Sequence, residues 1–486
     1  MTNISNLYKR FLKLKSIRSE LEPVWRECYE FALPQREGLF SGNSSQIDRL
    51  FDGTAPDCVD QLAACIFSEM TPPWTKWFAL KAGTEVTDDD EITTNLNNIS
   101  DVLFNHLNAS TFCLEMHQCF LDLVTVGTAC LMMEEAKIGE RSAFRFSAVP
   151  LSELYVDEGS SGRLDTIFRY TAISLENLMQ RFEVAQKADL SRLGDKNIAD
   201  IYLPIIECVT PKQGGGYLYT AFIEKDTNRL FGDKDDFVLL KEGFFEVSPF
   251  IAFRWQKVPG EIYGRSPVMK ALPDIKTANK VVELILKNAT IAVTGIWQAE
   301  DDGVLNPANI RLTPGTIIPK AVGSKGLTPL QAAGDFDVSQ IVLSDLRARI
   351  KHALLNDRLG QVDAPKMTAT EILERSAEMV RILGATYGRL QSELLTPLIE
   401  RALFILRRRG EIPDIYLDGH LVGISYQSPI ANAQANQDVG KALDWISSLS
   451  SFGADVSAFI DAKSFARWLA NKLNIPVELI KKEDEV

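Results

Sequence analysis

Two helical patterns separated by a breaker-rich stretch, within residues 261–366, most constrain how this chain can fold. Ser266 followed by Pro267 is typical of a helix start, with a hydroxyl cap before a proline at the first helical position. The pattern runs from 264 to about 293, which corresponds to a helix roughly 40 Å long. Its polar stripe has a spacing of three or four residues and consists of Lys276, Lys280, Glu283 and Lys287.

Residues 294–336 contain so many glycines and prolines that no long helix can cross them. A second helix is predicted at 337–357, with an apolar stripe of Leu343, Leu346, Ile350 and Leu354. The chain therefore forms a long helix, a knob and a returning helix. Taken alone, this pattern favours an αα-hairpin in an ordinary domain.

A third helical pattern, at 368–409, is much longer than an average helix. It opens with a capping box, Thr368 to Glu371, and Pro397 inside it predicts a kink. Three arginines, Arg407 to Arg409, close the pattern before a glycine. The triplet could bind phosphate, but complementation of the helix dipole is the simpler interpretation.

The middle of the chain switches to the two-residue period of β-strands. A glycine triplet at 214–216 could cradle a phosphate, but no helix and no Lys-Ser/Thr pair follows it. The sequence therefore predicts a hairpin turn there, and an α+β fold class overall. The candidate strands lie at 129–134, 144–149, 154–156, 166–171, 202–209, 217–223, 237–240, 250–255 and within 415–426.

Composition and motif content exclude several function classes. The 486 residues carry a net charge of −13, so the chain as a whole does not attract nucleic acid, although DNA could slide past it. Seven cysteines without CxxC spacing and four scattered histidines predict no metal site. No P-loop, dinucleotide fingerprint, nucleophile elbow or HExxH motif occurs, so neither enzyme activity nor a cofactor is expected. No signal peptide or membrane span is visible.

Five sequence blocks, taken in order, resemble phage portal proteins, the head-to-tail connectors, and most closely those of short-tailed phages. Each block alone is weakly specific. Their order along nearly the whole chain, with the helix–knob–helix pattern and the long kinked helix, carries the resemblance. The blocks are Tyr8-Lys9-Arg10 with 18–25 and 29–34, Phe51-Asp52-Gly53-Thr54-Ala55 with Leu62-Ala63, 71–78, 148–153 and 260–267.

The resemblance implies a portal-like subunit with a mixed α/β wing, a two-helix stem, a small α/β clip, a long kinked wing helix and a short helical crown. The expected parts are the wing at 1–256, the stem helices at 257–293 and 337–357, the clip at 294–336, a channel loop at 358–367, the long wing helix and further wing strands at 368–426, and the crown with the C-terminal tail at 427–486.

The same resemblance implies a homo-oligomeric ring, usually of twelve subunits, at a capsid vertex of the virion. Double-stranded DNA would be packaged and ejected through the ring without sequence readout. The implied partners are the terminase large subunit, the major capsid or scaffolding protein and a tail adaptor. Assembly would take place in the host cytoplasm, without a membrane.

A ring repeats each side chain as a circle of identical charges, so one lysine per subunit becomes a cationic band. For any single base, an ion pair with the neighbouring subunit is the favoured competing interpretation. The candidates for contact with DNA phosphate are Lys276, Lys280, Lys287, Arg347, Arg349, Lys351, Arg358 and Lys366.

Two other function classes stay open from the residues alone. Another ring-forming virion component, such as a tail adaptor, would lack the long kinked helix beside a separate helical hairpin. An unrecognised hydrolase with dispersed carboxylates would turn over its substrate as a monomer.

Overall fold

The structure is a mixed helix and sheet fold. The computed structural model describes residues 4–34, 50–82, 90–190, 197–224, 230–231, 237–294, 297–299, 322, 327–329, 336–356, 384, 386–413, 422–426, 429–451, 461, 465–466 and 468–470.

The described helices include both members of the predicted hairpin and a helix in the C-terminal part. They are α1 (Ile4–Ser19), α2 (Glu22–Ala32), α3 (Thr54–Met70), α4 (Asp90–Asn108), α5 (Phe112–Val126), α6 (Leu175–Arg181), α7 (Pro267–Thr294), α8 (Phe336–Ala353), α9 (Thr396–Arg409) and α10 (Pro429–Ser451).

The described strands form two larger antiparallel sheets and two small pairs. The larger sheets have the orders β4-β5-β6-β7-β8 and β3-β2-β9, and the pairs are β1-β12 and β10-β11. Their bounds are β1 (Phe78–Ala82), β2 (Thr128–Glu135), β3 (Phe144–Ala148), β4 (Leu154–Glu158), β5 (Leu164–Ser174), β6 (Tyr202–Pro211), β7 (Tyr217–Glu224), β8 (Phe237–Phe245), β9 (Phe250–Arg254), β10 (Trp297–Ala299), β11 (Leu327–Pro329) and β12 (Val422–Tyr426).

The glycine triplet is the tight turn of the β6–β7 hairpin, as predicted. Pro211 pairs with Tyr217, and the Lys212 N–H donates to the Gly216 carbonyl at 3.0 Å. All three glycines have φ between +72° and +103°, a range that disfavours other residues. A Cβ on Gly216 would also enter the Phe244 ring, so the triplet serves the turn and not a phosphate.

Most buried side chains belong to one large core that runs through both helical and sheet layers. Trp25, Phe120, Phe253 and Leu398 are fully buried in it, and the hairpin contributes Ile275 and other residues. A second, smaller core lies where α1 crosses the five-stranded sheet. The two helices of the hairpin are therefore rooted in the main core, while α1 is held by a core of its own.

The helix that ends at Arg409 is distorted just before Pro397. Residues 391–395 form a π turn that leads directly into α9, and the Thr396 hydroxyl donates to the Gln391 carbonyl at 2.9 Å. Pro397 has no N–H to continue the regular ladder, and the wide turn accommodates this loss. The first part of the predicted helix, 368–383, lies outside the described residues.

The arginines that close α9 are tied to the end of β2 and to the turn between β8 and β9. Arg407 pairs with Glu246 at 3.0 Å, Arg408 pairs with Glu135, and Arg409 donates to the Ala136 carbonyl at 3.0 Å. The triplet therefore locks the end of α9 to neighbouring turns and strands rather than acting on the helix dipole alone.

Candidate functional site

The helices α7 and α8 pack against each other as an antiparallel hairpin. Asp274, near the start of α7, pairs at 2.9 Å with Arg349, near the end of α8. The apolar stripe of α8 faces inward, with Leu343, Leu346 and Ile350 buried, as the sequence predicted. At 28 residues, α7 is about 42 Å long. Beyond it, β10 and β11 pair with each other, so the chain leaves and re-enters the hairpin side by side.

The base of the hairpin is fixed by a close backbone contact with the α5–β2 turn. The Gly264 N–H donates to the Thr128 hydroxyl at 2.8 Å, and the Ser266 hydroxyl donates to the Thr125 carbonyl at 2.8 Å. The same Ser266 oxygen accepts the Met269 N–H at 2.9 Å, which is the predicted cap of α7. Gly127 ends α5 at φ +81°, and its backbone lies directly against Gly264.

A second joint ties both hairpin helices to the start of α3. The buried Asn279 of α7 accepts the N–H groups of Phe51 and Asp52 at 2.6 and 3.1 Å. The Asp52 carboxylate accepts the Thr54 N–H at 2.9 Å and pairs with Arg347 of α8 at 2.8 Å. One short block of sequence, 51–54, thus contacts both helices at once. We refer to Asn279, Asp52 and Arg347 as the hairpin joint.

The charge on Asp52 is stabilised within this joint. Burial alone would raise the pKa of the carboxyl, but hydrogen bonds from Thr54 and Arg347 together lower it. A carboxyl with a lowered folded pKa stabilises the protein above its unfolded pKa of roughly 3.9. This contribution is lost as the pH falls through the folded value, so the joint weakens in acid.

Replacing Asn279 by alanine is expected to destabilise the protein by about 1–3 kcal/mol, because two N–H groups lose their acceptor. Urea unfolding of the purified protein measures this difference. Asn288→Ala is the matched control, since Asn288 is a half-buried asparagine on the same helix, and it is expected to change stability little. Equal unfolding midpoints for the two variants would contradict the joint.

A buried ion pair connects the π turn before α9 to the base of the hairpin. Arg254 of β9 is fully buried, and its guanidinium donates to Glu393 of the π turn at 2.7 Å. Its main-chain N–H donates to the same carboxylate at 3.0 Å. The remaining guanidinium N–H groups reach the carbonyls of Ile262 and Gly162 at 3.1 and 3.0 Å. Arg254 thus joins three segments: β9, the π turn before α9 and the segment that enters α7.

Most of the predicted DNA-contacting bases of the hairpin are paired inside this chain. Lys276 bonds Glu27 at 2.8 Å, while Lys280 and Lys287 share Glu283 at 2.9 and 2.5 Å. Hydrogen bonds from Lys287 and Lys280 lower the pKa of Glu283. Ion pairs with a neighbouring subunit are the competing interpretation for these bases, and within this chain local helical spacing and α2 supply carboxylates for them.

The remaining candidates fall into three groups. Arg347 and Arg349 are held by Asp52 and Asp274, although about half of each side chain is exposed. Lys351 is exposed near the end of α8, and no carboxylate of the described residues pairs with it. Arg358 and Lys366 lie outside the described residues, as do the whole predicted channel loop and most of the predicted clip.

No group of side chains that could hold a metal ion occurs in the part of the chain that the structure describes. None of the seven cysteines forms a disulfide. Across the same described ranges, no helix combines the length and the apolar character that a bilayer span requires.

Comparison with known proteins identifies the family. The family described as "Bacteriophage head to tail connecting protein" matches residues 5–480. The probable portal protein of Bordetella phage BPP-1 is 22% identical, over 99% of this chain and 89% of the relative. The portal protein of Salmonella phage epsilon15 is 23% identical over 99% and 90%, and that of Enterobacteria phage T3 is 24% identical over 83% and 74%.

Among solved structures, a chain from the neck of an empty gene transfer agent particle matches with a TM-score of 0.39. The identity is 12%, and the match covers 89% of this chain and 93% of that one. The family match extends over almost the entire sequence. The sequence-based interpretation as a phage portal protein is confirmed, and the chain belongs to the bacteriophage head to tail connecting protein family.

Proposed function

We propose that this chain acts as one subunit of a closed ring at a capsid vertex, with the α7–α8 hairpin lining or flanking the DNA channel. The hairpin is the observation that carries the proposal. It is held to the body by Gly264, Ser266 and the hairpin joint, and its strands β10 and β11 continue it beyond the helices. Such a rod, repeated around an axis, encloses a tube.

Exposed apolar side chains on the hairpin support contacts between neighbouring copies. Leu284 and Leu286 of α7 are 54% and 50% exposed, and Ile341 and Val342 of α8 are 68% and 45% exposed. The antiparallel register set by Asp274 and Arg349 puts the two pairs at a similar height. Two different apolar surfaces on one rod favour a heterologous contact, the type that closes into rings.

The proposed parts of the subunit follow the sequence-based assignment. The two larger sheets, α1 to α6 and the segment 368–426 with α9 belong to the wing, α7 and α8 to the stem, 294–336 with the β10-β11 pair to the clip, 358–367 to a channel loop and 427–486 to the crown. The packaging motor, meaning the terminase large subunit, and later a tail adaptor would bind the clip. The wing would contact the major capsid or scaffolding protein, and assembly would precede DNA entry in the host cytoplasm.

The paired charges of the hairpin suit a channel through which DNA slides. Ion pairs such as Lys280–Glu283 leave only partial positive charge facing a duplex, so phosphates are attracted weakly and released easily. Lys351 at the end of α8, which no described carboxylate pairs with, would form a stronger contact, and Arg358 and Lys366, beyond it in the sequence, are further candidates. Twelve copies, the usual number for portals, would repeat each of them around the axis.

The double variant Arg358→Glu, Lys366→Glu is expected to form normal rings but to lower the yield of packaged genomes about tenfold or more, since each subunit loses phosphate contacts. Electron microscopy of the purified protein shows the rings, and nuclease-protected DNA measures packaging. Lys137→Glu with Lys241→Glu makes the same charge change at two exposed wing lysines and serves as the control.

The two parts of the proposal fail separately in this experiment. If electron microscopy shows the wild-type protein as a globule without a central hole, the proposed ring is wrong. Rings that package and retain DNA normally in the Arg358 and Lys366 variant would leave the ring in place and overturn the channel-loop assignment.

A further inference from the structure

The helix α1 has an unusual charge for this acidic protein. Its 16 residues include five cations, Lys9, Arg10, Lys13, Lys15 and Arg18, and no Asp or Glu. The whole chain carries a net charge of −13. A segment this basic is therefore a local positive surface on an otherwise negative molecule.

Packing on the five-stranded sheet uses one face of α1 and two of its cations. Phe11 is buried against Tyr155, with ring centroids 4.9 Å apart. Arg10 pairs with Asp157 at 2.6 Å, and Arg18 donates to the Leu154 carbonyl at 2.9 Å. These contacts fix which side of the helix faces the protein, and they account for both arginines.

The opposite face of α1 points to solvent and carries Lys9 and Lys13. Both lysines are exposed, and neither pairs with a carboxylate in the described ranges. They are one helical turn apart, which separates them by about 6 Å along the axis. Lys15 is also exposed and lies on the flank, with its ammonium 5.7 Å from the Tyr170 ring.

We propose that this outer face of α1 binds the phosphate backbone of double-stranded DNA on the outside of the assembled protein. Unpaired ammonium groups on a rigid helix match a duplex backbone, which offers regularly spaced negative charge and needs no base readout. A protein partner fits less well, because the face carries a single exposed large apolar residue, Leu12, and stable protein interfaces have an apolar centre. The proposal rests on the proposed function for the presence of duplex DNA and for the ring on whose outside α1 lies.

The test uses covalently closed circular duplex DNA, which a preformed ring cannot thread. Filter retention of this DNA by the assembled full-length protein is measured between 50 and 200 mM salt, with Lys9→Gln/Lys13→Gln beside the wild type. The slope of log affinity against log salt is expected to fall by about 2 in the variant, since each phosphate contact contributes roughly 0.9. Lys137→Gln/Lys241→Gln removes the same charge elsewhere and should keep the wild-type slope.

Three results would overturn the proposal: no retention of circular DNA by the wild type, the same slope in the α1 variant, or an equal loss in both double variants. The last would mean that only bulk charge matters. Packaging of linear genomes and ring formation are followed in parallel. Because circular DNA bypasses the channel, a defect in ring passage and a defect in α1 binding give different patterns.

Discussion

Gly264→Ala is expected to destabilise the protein by about 3 kcal/mol or more, because the added methyl group has no space. Its Cβ would overlap the carbonyl oxygen of Gly127 and would lie 3.0 Å from the Arg254 Cβ. Gly127 is confined in the same way, since a Cβ added to it would lie 2.6 Å from the Arg265 carbonyl carbon, and its φ of +81° is set by the end of α5.

Urea unfolding and the yield of soluble protein measure this effect. Gly388→Ala is the matched control, because Gly388 is an exposed helical glycine with nothing within 4 Å of an added Cβ. That change should be neutral or stabilising by up to about 1 kcal/mol. If Gly264→Ala unfolds at the wild-type midpoint, the close contact at the base of the hairpin is wrong.

Glu393→Ala is expected to cost about 3–5 kcal/mol, the range for breaking a buried ion pair from one side. The substitution leaves the buried Arg254 guanidinium with two carbonyl partners and the more distant Glu158 carboxylate at 3.8 Å, and it also removes the acceptor of the Arg254 main-chain N–H. Thermal and urea unfolding of the single variant measure the loss.

Two further variants separate this explanation from a general effect of lost charge. Arg254→Met with Glu393→Met removes both ions and should recover much of the stability, because no buried charge is left unpaired. Glu261→Ala breaks an exposed Arg–Glu pair on the same segment and should change stability by less than about 1 kcal/mol. A double variant less stable than Glu393→Ala would contradict the buried pair as the cause.

Local sequence rules predicted the elements of this fold well. Ser266 caps α7, the triplet at 214–216 turns a hairpin, and Pro397 distorts the long helix, each through chemistry contained in a few neighbouring residues. The strand β1 was not predicted. Its sequence does not alternate clearly, and its pairing partner Val422–Tyr426 is more than 300 residues away in the chain.

The candidate site was predicted less completely, because several of its contacts, like the pairing of β1, join segments that are far apart in the sequence. The spacing of Lys280, Glu283 and Lys287 already indicates ion pairs along one helix, so their pairing could have been predicted from sequence. The contact of Asn279 with Asp52, and that of Arg254 with Glu393, join distant segments. No local pattern indicates such pairs, although the Phe51 to Ala55 block, which forms one of them, is among the blocks that resemble portal proteins.

The π turn at 391–395 also sets a limit on changes in chain length. A π turn holds one more residue than a regular turn, so deleting a single residue there would let the helix wind normally. The parts on either side would keep nearly the same relative rotation, because the wide turn and the regular turn both complete one revolution. A deletion or insertion in the regular part of α9 would instead rotate one side by about 100° relative to the other. Glu393 could then no longer face Arg254 while the rest of α9 kept its place, so related chains should tolerate exchanges of side chains in α9 far more readily than gaps or insertions.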